Sequence, residues 1–358
     1  MTIIHYIPTM DLKKGIAPHY VNSLVRATAR VATSYVIEEK DLGTPLLDFT
    51  SNAVKQLRKY RPDIVHIHAA WDFRSALLGK IARRMGLFVV VSPHGGLSQA
   101  KMEQRFWKEK LPRILAYQFR MLRKSRLVIT VSDKEKEELG RLGWKRRMIT
   151  VPQPSVNNIG DDELCSMIMA AYRKVIDTHY LERITEDEIG FSIRCVREAL
   201  RREGHFMQDD EPYTMPEGLS FRRIYIFAHD NGITSLLHEG AKRLDLAIPQ
   251  PLNVDNLPRF TEKPKRQGSK EKGFRKFCEI IQREIPDTVN DKIFTPQGEI
   301  SLLAFANVYS AIRFNDYDEE KFISLMKSAG LEKYTSRMMY LFQELFNMEE
   351  GFMPIAPR

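Results

Sequence analysis

Short, wholly apolar runs alternate with longer segments of helical periodicity over the first 155 residues. Runs that are apolar throughout are typical of strands in a parallel sheet, because helices cover both faces of such a sheet. The intervening segments repeat apolar residues every three or four positions, as amphipathic helices do. The pattern predicts a Rossmann-like domain that ends near Pro154. The predicted strands are 2–8, 33–39, 62–69, 87–93, 126–132 and 147–154, and the predicted helices are 18–30, 51–61, 73–86, 105–125 and 133–143.

The pattern changes after Asp161, where the periodicity is almost entirely helical. Without strand–helix alternation, a second Rossmann domain is not expected. We therefore predict an α/β fold of two domains, a Rossmann-like parallel sheet at 1–155 followed by a mainly α-helical domain at 156–358 with a loop at 245–268. The predicted helices of this second part are 163–180, 186–202, 219–244, 270–284, 299–314, 319–329 and 332–348.

Charge is distributed unevenly between these two parts. Residues 1–155 contain 28 Lys and Arg against 13 Asp and Glu, whereas the remainder contains 27 against 33. The basic part is expected to meet an anionic partner, namely phosphates, nucleic acid or a membrane surface. The alternative is that opposite fields hold two domains together.

The expected compartment is the cytoplasm. No apolar run is long enough to cross a bilayer, and the N-terminus does not resemble a signal peptide. The three cysteines lack metal-ligand spacing, which favours a reduced compartment and small buried residues.

The stretch "VVVSPHGGLSQ" ends the fourth predicted strand with His94, Gly95 and Gly96. In parallel sheets, ligands bind beyond the carboxyl ends of the strands. Glycines let backbone approach a ligand closely, and a histidine can hydrogen-bond a sugar hydroxyl or a phosphate oxygen. These residues are candidates for a cleft, and the alternative is a tight turn with a solvated histidine.

The third strand carries His66 and His68, which face the same side because strand residues alternate. Two interpretations remain, a metal pair and buried hydrogen-bonded histidines, and we favour the second because no third ligand is evident. Asp72, just beyond this strand, either reaches the cleft or caps the following helix.

Two further strand ends supply candidates. Lys13, Lys14 and Gly15 precede a predicted helix start, which suits a phosphate, although a solvated basic loop fits equally well. Ser132 follows the fifth strand and enters the next helix.

Residues 101–126 form a basic segment with aromatic residues. It contains nine Lys and Arg and two Glu, and an apolar stripe includes Phe106 and Trp107. Such helices lie on anionic membrane surfaces or pack on a core with a solvated cationic face. No nucleic-acid-binding motif accompanies the segment, so nucleic acid is not expected as a partner.

Together, the segments "RPDIVHIHAAWDF", "VVVSPHGGLS", "LAYQFRMLRKSRLVITVSDKEKEEL" and "RMITVPQPSVN" resemble the N-terminal domain of GT-B glycosyltransferases of the family-4-like retaining group. The resemblance covers about residues 1–155. It implies an acceptor-binding lobe whose cleft is lined by Gly15 and His94. The family often has a glycine pair in the first loop, whereas this chain has only Gly15, which weakens the phosphate-contact role of that loop.

The region after residue 155 departs from the family. The resemblance implies a second lobe with strand–helix repeats and two glutamates spaced eight residues apart, which bind a nucleotide-sugar donor. Glu271 and Glu279 have that spacing, but they lie in a predicted helix without the surrounding motif, so we assign them no function.

Two functions follow from this comparison. The first is a glycosyltransferase in polysaccharide biosynthesis that uses a nucleotide-sugar as co-substrate, with no bound cofactor or metal, and a glycan or lipid-linked acceptor. His94 is then the catalytic candidate, and the substrate-binding candidates are Lys14, Gly15, His68, Asp72, Arg74, Gly95, Gly96 and Ser132.

The second function is a non-catalytic acceptor-binding module whose helical domain docks a partner glycosyltransferase chain. In either case the basic segment 101–126 is a candidate for peripheral contact with the inner membrane face. A nicotinamide-dependent Rossmann enzyme is set aside, because the first loop lacks the required glycine fingerprint.

Overall fold

The computed structural model describes residues 1–145, 147–202, 213–286, 288 and 292–358. The chain divides into two compact units. The first unit contains residues 1–179 and 258–260, and the second contains residues 180–257 and 261–358.

The first unit is built on a sheet of six parallel strands in the order β2-β1-β3-β4-β5-β6. This confirms the predicted Rossmann-like sheet. The order reverses between β1 and β3, which creates a switch point at the carboxyl edge. The strands are β1 (Thr2–Ile7), β2 (Thr33–Glu38), β3 (Ile64–Ile67), β4 (Phe88–Val91), β5 (Leu127–Thr130) and β6 (Met148–Thr150).

Helices flank this sheet and cover its mostly apolar, buried central strands. One apolar cluster contains Ile4 and Val65, and the other contains their strand neighbours Ile3 and Ile64, so alternate residues lie in separate cores. The helices are α1 (Ile16–Thr28), α2 (Glu39–Leu42), α3 (Leu46–Tyr60), α4 (Phe73–Arg84), α5 (Gln99–Glu103), α6 (Leu111–Arg113), α7 (Phe119–Lys124), α8 (Asp133–Arg141), α9 (Pro154–Asn157) and α10 (Asp161–Thr178).

The segment at 105–125, predicted as one long helix with a bend at Pro112, is interrupted on both sides of this proline. Two π-helical stretches, Phe106–Lys110 and Ile114–Gln118, flank the short helix α6, which contains Pro112. Proline has no backbone N–H to donate, so the regular helical hydrogen-bond pattern cannot continue through it. π-helical insertions are frequent at functional sites.

Helix α10 belongs to the first unit, although the sequence analysis assigns everything after residue 155 to the helical region. Its buried face, including Leu164 and Ile168, shares one core with α1 and the sheet. Asp161 at its start binds Arg26 of α1 at 2.7 Å. The compact unit therefore extends to His179, because this helix covers a sheet face that would otherwise be exposed.

In the second unit, the described residues form helices around one apolar core, with a single isolated pair of bridged residues, Phe294 and Ile300. This confirms the predicted helical portion. The helices are α11 (Glu186–Leu200), α12 (Phe221–Asp230), α13 (Thr234–Arg243), α14 (Ser269–Glu284), α15 (Leu302–Phe314), α16 (Glu319–Ser328) and α17 (Glu332–Phe346).

The helix predicted at 219–244 is two helices, α12 and α13. They separate at Gly232, whose φ of +73° does not fit a right-handed helix. Asn231 secures the break, because its side-chain oxygen accepts from Leu302 N at 3.1 Å.

No helix among the described residues is long and apolar enough to cross a membrane.

Candidate functional site

The carboxyl edge of the sheet at the β1–β3 switch point carries a cluster of four histidines. His5 of β1 and His66 of β3 are paired in register. His68 lies just beyond β3, and His94 lies just beyond β4. All four side chains are buried.

Three of these imidazoles form a hydrogen-bonded chain. His5 Nδ1 lies 3.0 Å from His68 Nε2, and His68 Nδ1 lies 3.0 Å from His94 Nε2. The outer nitrogens, His5 Nε2 and His94 Nδ1, are buried and have no hydrogen-bond partner in the structure. His68 is thus the middle member of a chain that ends at His94.

His66 is held separately. Its Nδ1 lies 2.7 Å from the Tyr172 hydroxyl of α10, and its Nε2 lies 2.7 Å from the Ser92 hydroxyl. Both ring nitrogens therefore have a partner, as expected of a buried histidine.

Burial keeps the four imidazoles neutral. Desolvation lowers the pKa of His5 to about 4 and that of His94 to about 3. It also lowers the pKa of His66 and His68 well below the ordinary value, and neighbouring histidines add to this effect.

Because the three hydrogen-bonded imidazoles are neutral, the tautomer of each one depends on that of its neighbour. A neutral imidazole has one N–H donor and one acceptor nitrogen. If His68 donates to His94, then His94 Nδ1 carries the proton and is a donor. If His94 donates to His68, then His94 Nδ1 is an acceptor. The chain therefore sets which chemistry His94 Nδ1 offers.

His94 and Gly95 form the centre of a tight turn. Their φ values are +50° and +72°, and Gly96 N donates to Pro93 O at 2.8 Å. Positive φ at both central residues is the geometry of a type I′ turn. Positive φ costs free energy for any residue that has a Cβ, so the backbone of His94 is strained, although histidine tolerates this region better than most residues.

Gly96 is needed for a different reason. A Cβ at this position would lie 2.7 Å from the Ala70 Cβ and 2.8 Å from Pro93 O, closer than side chains approach. The missing Cβ allows the turn after β4 to pack against the segment after β3. The two glycines thus serve the turn, which itself positions His94.

Glu135 of α8 anchors the turn from the side. Its carboxylate accepts from Gly95 N at 2.7 Å and from Val131 N at 3.0 Å. Its side chain is buried, which raises its pKa. The sequence analysis did not single out this residue.

Three predicted site residues serve the scaffold. Asp72 caps α4, because its Oδ2 accepts from Ser75 N at 2.6 Å, which was one of the two interpretations. Arg74 binds Glu39 at 2.5 Å. Ser132 caps α8 by accepting from Glu135 N at 3.2 Å. None of these contacts involves the four histidines.

The first loop is exposed, and Lys13, Lys14 and Gly15 all lie on the surface. Gly15 has a φ of +110° and precedes the first residue of α1. From the same helix, the Tyr20 ring contacts the His94 ring edge-on, with centroids 5.0 Å apart. The helix therefore links the loop to His94.

The histidine cluster also has the spacing for a metal ion. Ligand nitrogens of His5, His66 and His68 lie within 4.8 Å of one another. Neutral imidazoles are the form that metals bind. In the structure, however, both nitrogens of His66 are used by hydroxyl groups, which supports the hydrogen-bonded interpretation of this residue.

Beside the turn lies a largely apolar cleft of about 790 Å³. Leu97, three residues after His94, lines it together with residues of α5, the π-helical stretch and α8. The apolar lining residues are Leu97, Met102, Phe106, Trp107 and Leu142.

Residues 16–157 match the family model described as Glycosyltransferase Family 4. The match includes the turn with His94, both π-helical stretches and the strands from β2 to β6. It confirms the resemblance based on the sequence motifs, so the N-terminal part of the chain has a glycosyltransferase-4-like fold. No curated protein matches the chain.

Two solved structures are similar to the chain. The UDP-GlcNAc 2-epimerase from Methanocaldococcus jannaschii is 12% identical, with 88% of this chain and 94% of that chain covered and a TM-score of 0.30. The S. aureus MnaA structure with UDP is 13% identical, with 100% and 99% covered and a TM-score of 0.32.

Proposed function

We propose that the protein transfers a sugar from a nucleotide-sugar donor to a glycan or lipid-linked acceptor in polysaccharide biosynthesis. The observation that carries this proposal is His94 Nδ1, a buried nitrogen without a partner at the switch-point edge of a glycosyltransferase-4-like domain. A polar atom of this kind is costly to leave unpaired, and a substrate oxygen would pair it.

His94 acts in this proposal as a neutral group. With a pKa of about 3 it holds no extra proton near neutral pH, so it orients or polarises a hydroxyl by hydrogen bonding. In the transfer, the bond between the sugar's anomeric carbon and the diphosphate oxygen breaks. A bond to the acceptor oxygen forms, and the hydroxyl proton passes to the departing diphosphate.

Cations stabilise a departing diphosphate. The exposed Lys13 and Lys14 beside the start of α1 are suited to this, and the thirteen-residue helix adds its N-terminal dipole. Arg74 is less suited because Glu39 already binds its guanidinium.

The apolar cleft favours a lipid-linked acceptor over a free glycan. Five aliphatic or aromatic residues line it beside six polar or charged ones, and the lining begins three residues from His94. Trp107 and Leu115 of the basic segment 101–126 are 78% and 74% exposed. Exposed apolar side chains among Lys and Arg suit peripheral contact with an anionic membrane surface.

The donor site is left to the helical unit or to a second chain. For this reason we keep a second candidate function, an acceptor-binding module that docks a partner glycosyltransferase. The absence of strand–helix alternation among the described residues of the second unit favours it, because nucleotide-sugars bind at the edges of parallel sheets in such folds.

The test combines ligand binding and transfer. Purified protein is screened by thermal shift against UDP, GDP, ADP, CMP and their sugars, where a ligand at 100 times its dissociation constant adds about 2.7 kcal/mol. Any stabilising sugar nucleotide is then used, radiolabelled, in transfer assays with lipid-linked and free glycan acceptors.

The matched variants are His94→Asn and Ser98→Ala. Asparagine tolerates positive φ, so the first variant removes the imidazole while it preserves the turn. Ser98 lies in the same loop, and its side chain makes no cap hydrogen bond to α5. We expect His94→Asn to reduce kcat by about a hundredfold or more and Ser98→Ala to leave it unchanged. Full activity of a folded His94→Asn protein would refute the assignment, and no stabilisation by any nucleotide would favour the binding module.

A further inference from the structure

A second cavity opens at the amino edge of the sheet, opposite the edge that carries His94. It has a volume of about 610 Å³ and lies where β5 and β6 begin. Among the described residues that line it, none is acidic. The lining residues are Phe119, Arg123, Lys124, Ser125, Arg126, Gly143, Trp144, Lys145 and Arg147.

Two of the five cationic residues are fixed by the sheet itself. Arg126 immediately precedes β5, and its backbone N–H donates to Val89 O at 2.7 Å. Arg147 immediately precedes β6, and its carbonyl accepts from Val128 N at 3.1 Å. Their backbones are therefore held by strand pairing before any ligand arrives, which reduces the ordering that binding would require.

Lys145 lies among these arginines. Its ammonium donates to Ser125 O. Burial, together with the charges of Arg147, Arg126 and Arg83, lowers the pKa of Lys145 to about 8. Positive groups thus oppose one another here, and an anion placed between them would relieve that repulsion.

An aromatic wall completes the cavity. The rings of Phe119 and Trp144 meet edge-on with centroids 6.1 Å apart, and the Arg123 guanidinium lies 5.5 Å from the Phe119 ring centroid. A wall of this kind accommodates the uncharged part of a ligand whose anionic group faces the cations.

We propose that this cavity at the amino edge of the sheet binds a phosphate group. Cationic side chains from two chain segments line it, as they do in phosphate sites, and one of them, Arg147, also has its Nη1 2.8 Å from His179 Nε2. The group belongs either to a phospholipid headgroup or to a soluble phosphate compound, and both present the same chemistry. The site is independent of the proposed transfer reaction.

The test uses the full chain and two double variants of equal charge change. Arg123→Gln/Lys145→Gln removes two cations from the cavity. Lys55→Gln/Arg58→Gln removes two exposed cations from α3, outside the cavity lining. Binding of inorganic pyrophosphate is measured by calorimetry and by the indole N–H resonance of Trp144. Flotation is measured with phosphatidylglycerol vesicles and with phosphatidylcholine vesicles.

We expect pyrophosphate to bind the wild-type protein and the cavity variant to bind about tenfold more weakly or worse, with the control unchanged. If the wild-type protein floats with phosphatidylglycerol vesicles and the cavity variant does not, the phosphate belongs to a lipid headgroup. If the wild-type protein binds pyrophosphate but does not float with vesicles, the phosphate belongs to a soluble compound. The proposal is overturned if the wild-type protein binds neither probe, or if the control variant loses as much binding as the cavity variant.

Discussion

His94 combines a strained backbone with an unpaired buried nitrogen. Its φ of +50° and the missing partner of its Nδ1 both cost free energy in the structure described here. Such costs persist where the surrounding structure imposes them and a ligand offsets them. Glu135 and Gly96 impose the turn, while the proposed substrate supplies the partner.

In the row of hydrogen-bonded imidazoles from His5 to His94, His68 is a positioning residue. We expect His68→Asn to lower kcat about tenfold with little change in KM, because His94 keeps its place but loses the partner that selects its tautomer. Nitrogen NMR of the His94 ring should change from one tautomer to a mixture.

That spectroscopic change separates positioning from a merely structural role. A His68→Asn protein that loses activity while the His94 ring keeps a single tautomer would argue against the relay. Ser98→Ala again provides the control within the same loop, and its His94 spectrum should match that of the wild-type protein.

The sequence marks His94 and His68 as site candidates, but it gives no signal for the residues that contact them. Alternation along one strand shows that His66 and His68 share a face. The pairing of His5 with His66 depends on strand register, and the contact of His94 with Tyr20 depends on how α1 packs. Neither register nor packing is determined by spacing along the chain, so His5, Tyr20 and Glu135 were missed.

At the scale of elements, the turn after β4 depends on two glycines that contribute differently. We expect Gly96→Ala to destabilise the protein by about 1–3 kcal/mol, because its Cβ would meet both Ala70 and Pro93. A Cβ at Gly95 would meet no other atom, so Gly95→Ala should destabilise the protein only through its positive φ, by about 1 kcal/mol.

Urea unfolding of both variants measures this difference. The double variant Gly96→Ala/Ala70→Gly should recover part of the loss, since it removes one of the two close contacts. Equal destabilisation by the two single alanine variants would show that space at Gly96 is not the limiting factor.

Element types were predictable where one physical signal dominates. The cores of β1, β3, β4 and β5 are mostly apolar runs of four to six residues, and such runs are recognisable without the structure. The assignment of α10 was not predictable, because an amphipathic helix shows that it has a buried face but not which core receives it. The π-helical stretches flank Pro112 and likewise leave no periodic signal of their own.

At the scale of the whole molecule, four buried neutral histidines link stability to pH. Their folded-state pKa values lie below the ordinary value of about 6.5, so below that pH the unfolded chain takes up protons that the native state excludes. Stability is therefore fully present above about pH 6.5 and falls as the pH decreases toward about 4. Each histidine contributes a slope of about 1.4 kcal/mol per pH unit, and the raised pKa of Glu135 opposes this with one carboxyl group.

Tryptophan fluorescence follows this effect in the first unit, since Trp71, Trp107 and Trp144 all lie there. Urea unfolding at pH 7, 6 and 5 should show that the free energy of unfolding falls steeply as the pH decreases. In His5→Asn the fall per pH unit should be smaller by the contribution of one histidine. A stability that stays constant from pH 7 to 5, or a slope unaffected by His5→Asn, would contradict buried neutral imidazoles.

The structure shows where some of the cationic residues of the basic N-terminal part lie. Five cationic residues of the first unit line the cavity at the amino edge, while Lys13 and Lys14 lie in the loop after β1. Part of the positive charge of the first 155 residues therefore lies at two edges of one sheet. The sequence predicts the excess but not this division, because the cavity joins residues from two separate segments.

Residues 258–260 return to the first unit after the chain has begun the second. Phe260 N donates to Thr178 Oγ1 at 2.8 Å, and the Phe260 ring lies beneath Arg147 and Lys174. During synthesis, the sheet and α10 leave the ribosome about eighty residues before this aromatic ring, since the two contact residues are 82 positions apart. The first unit therefore remains incomplete while much of the second is being made, and its last surface closes only when that later segment has emerged.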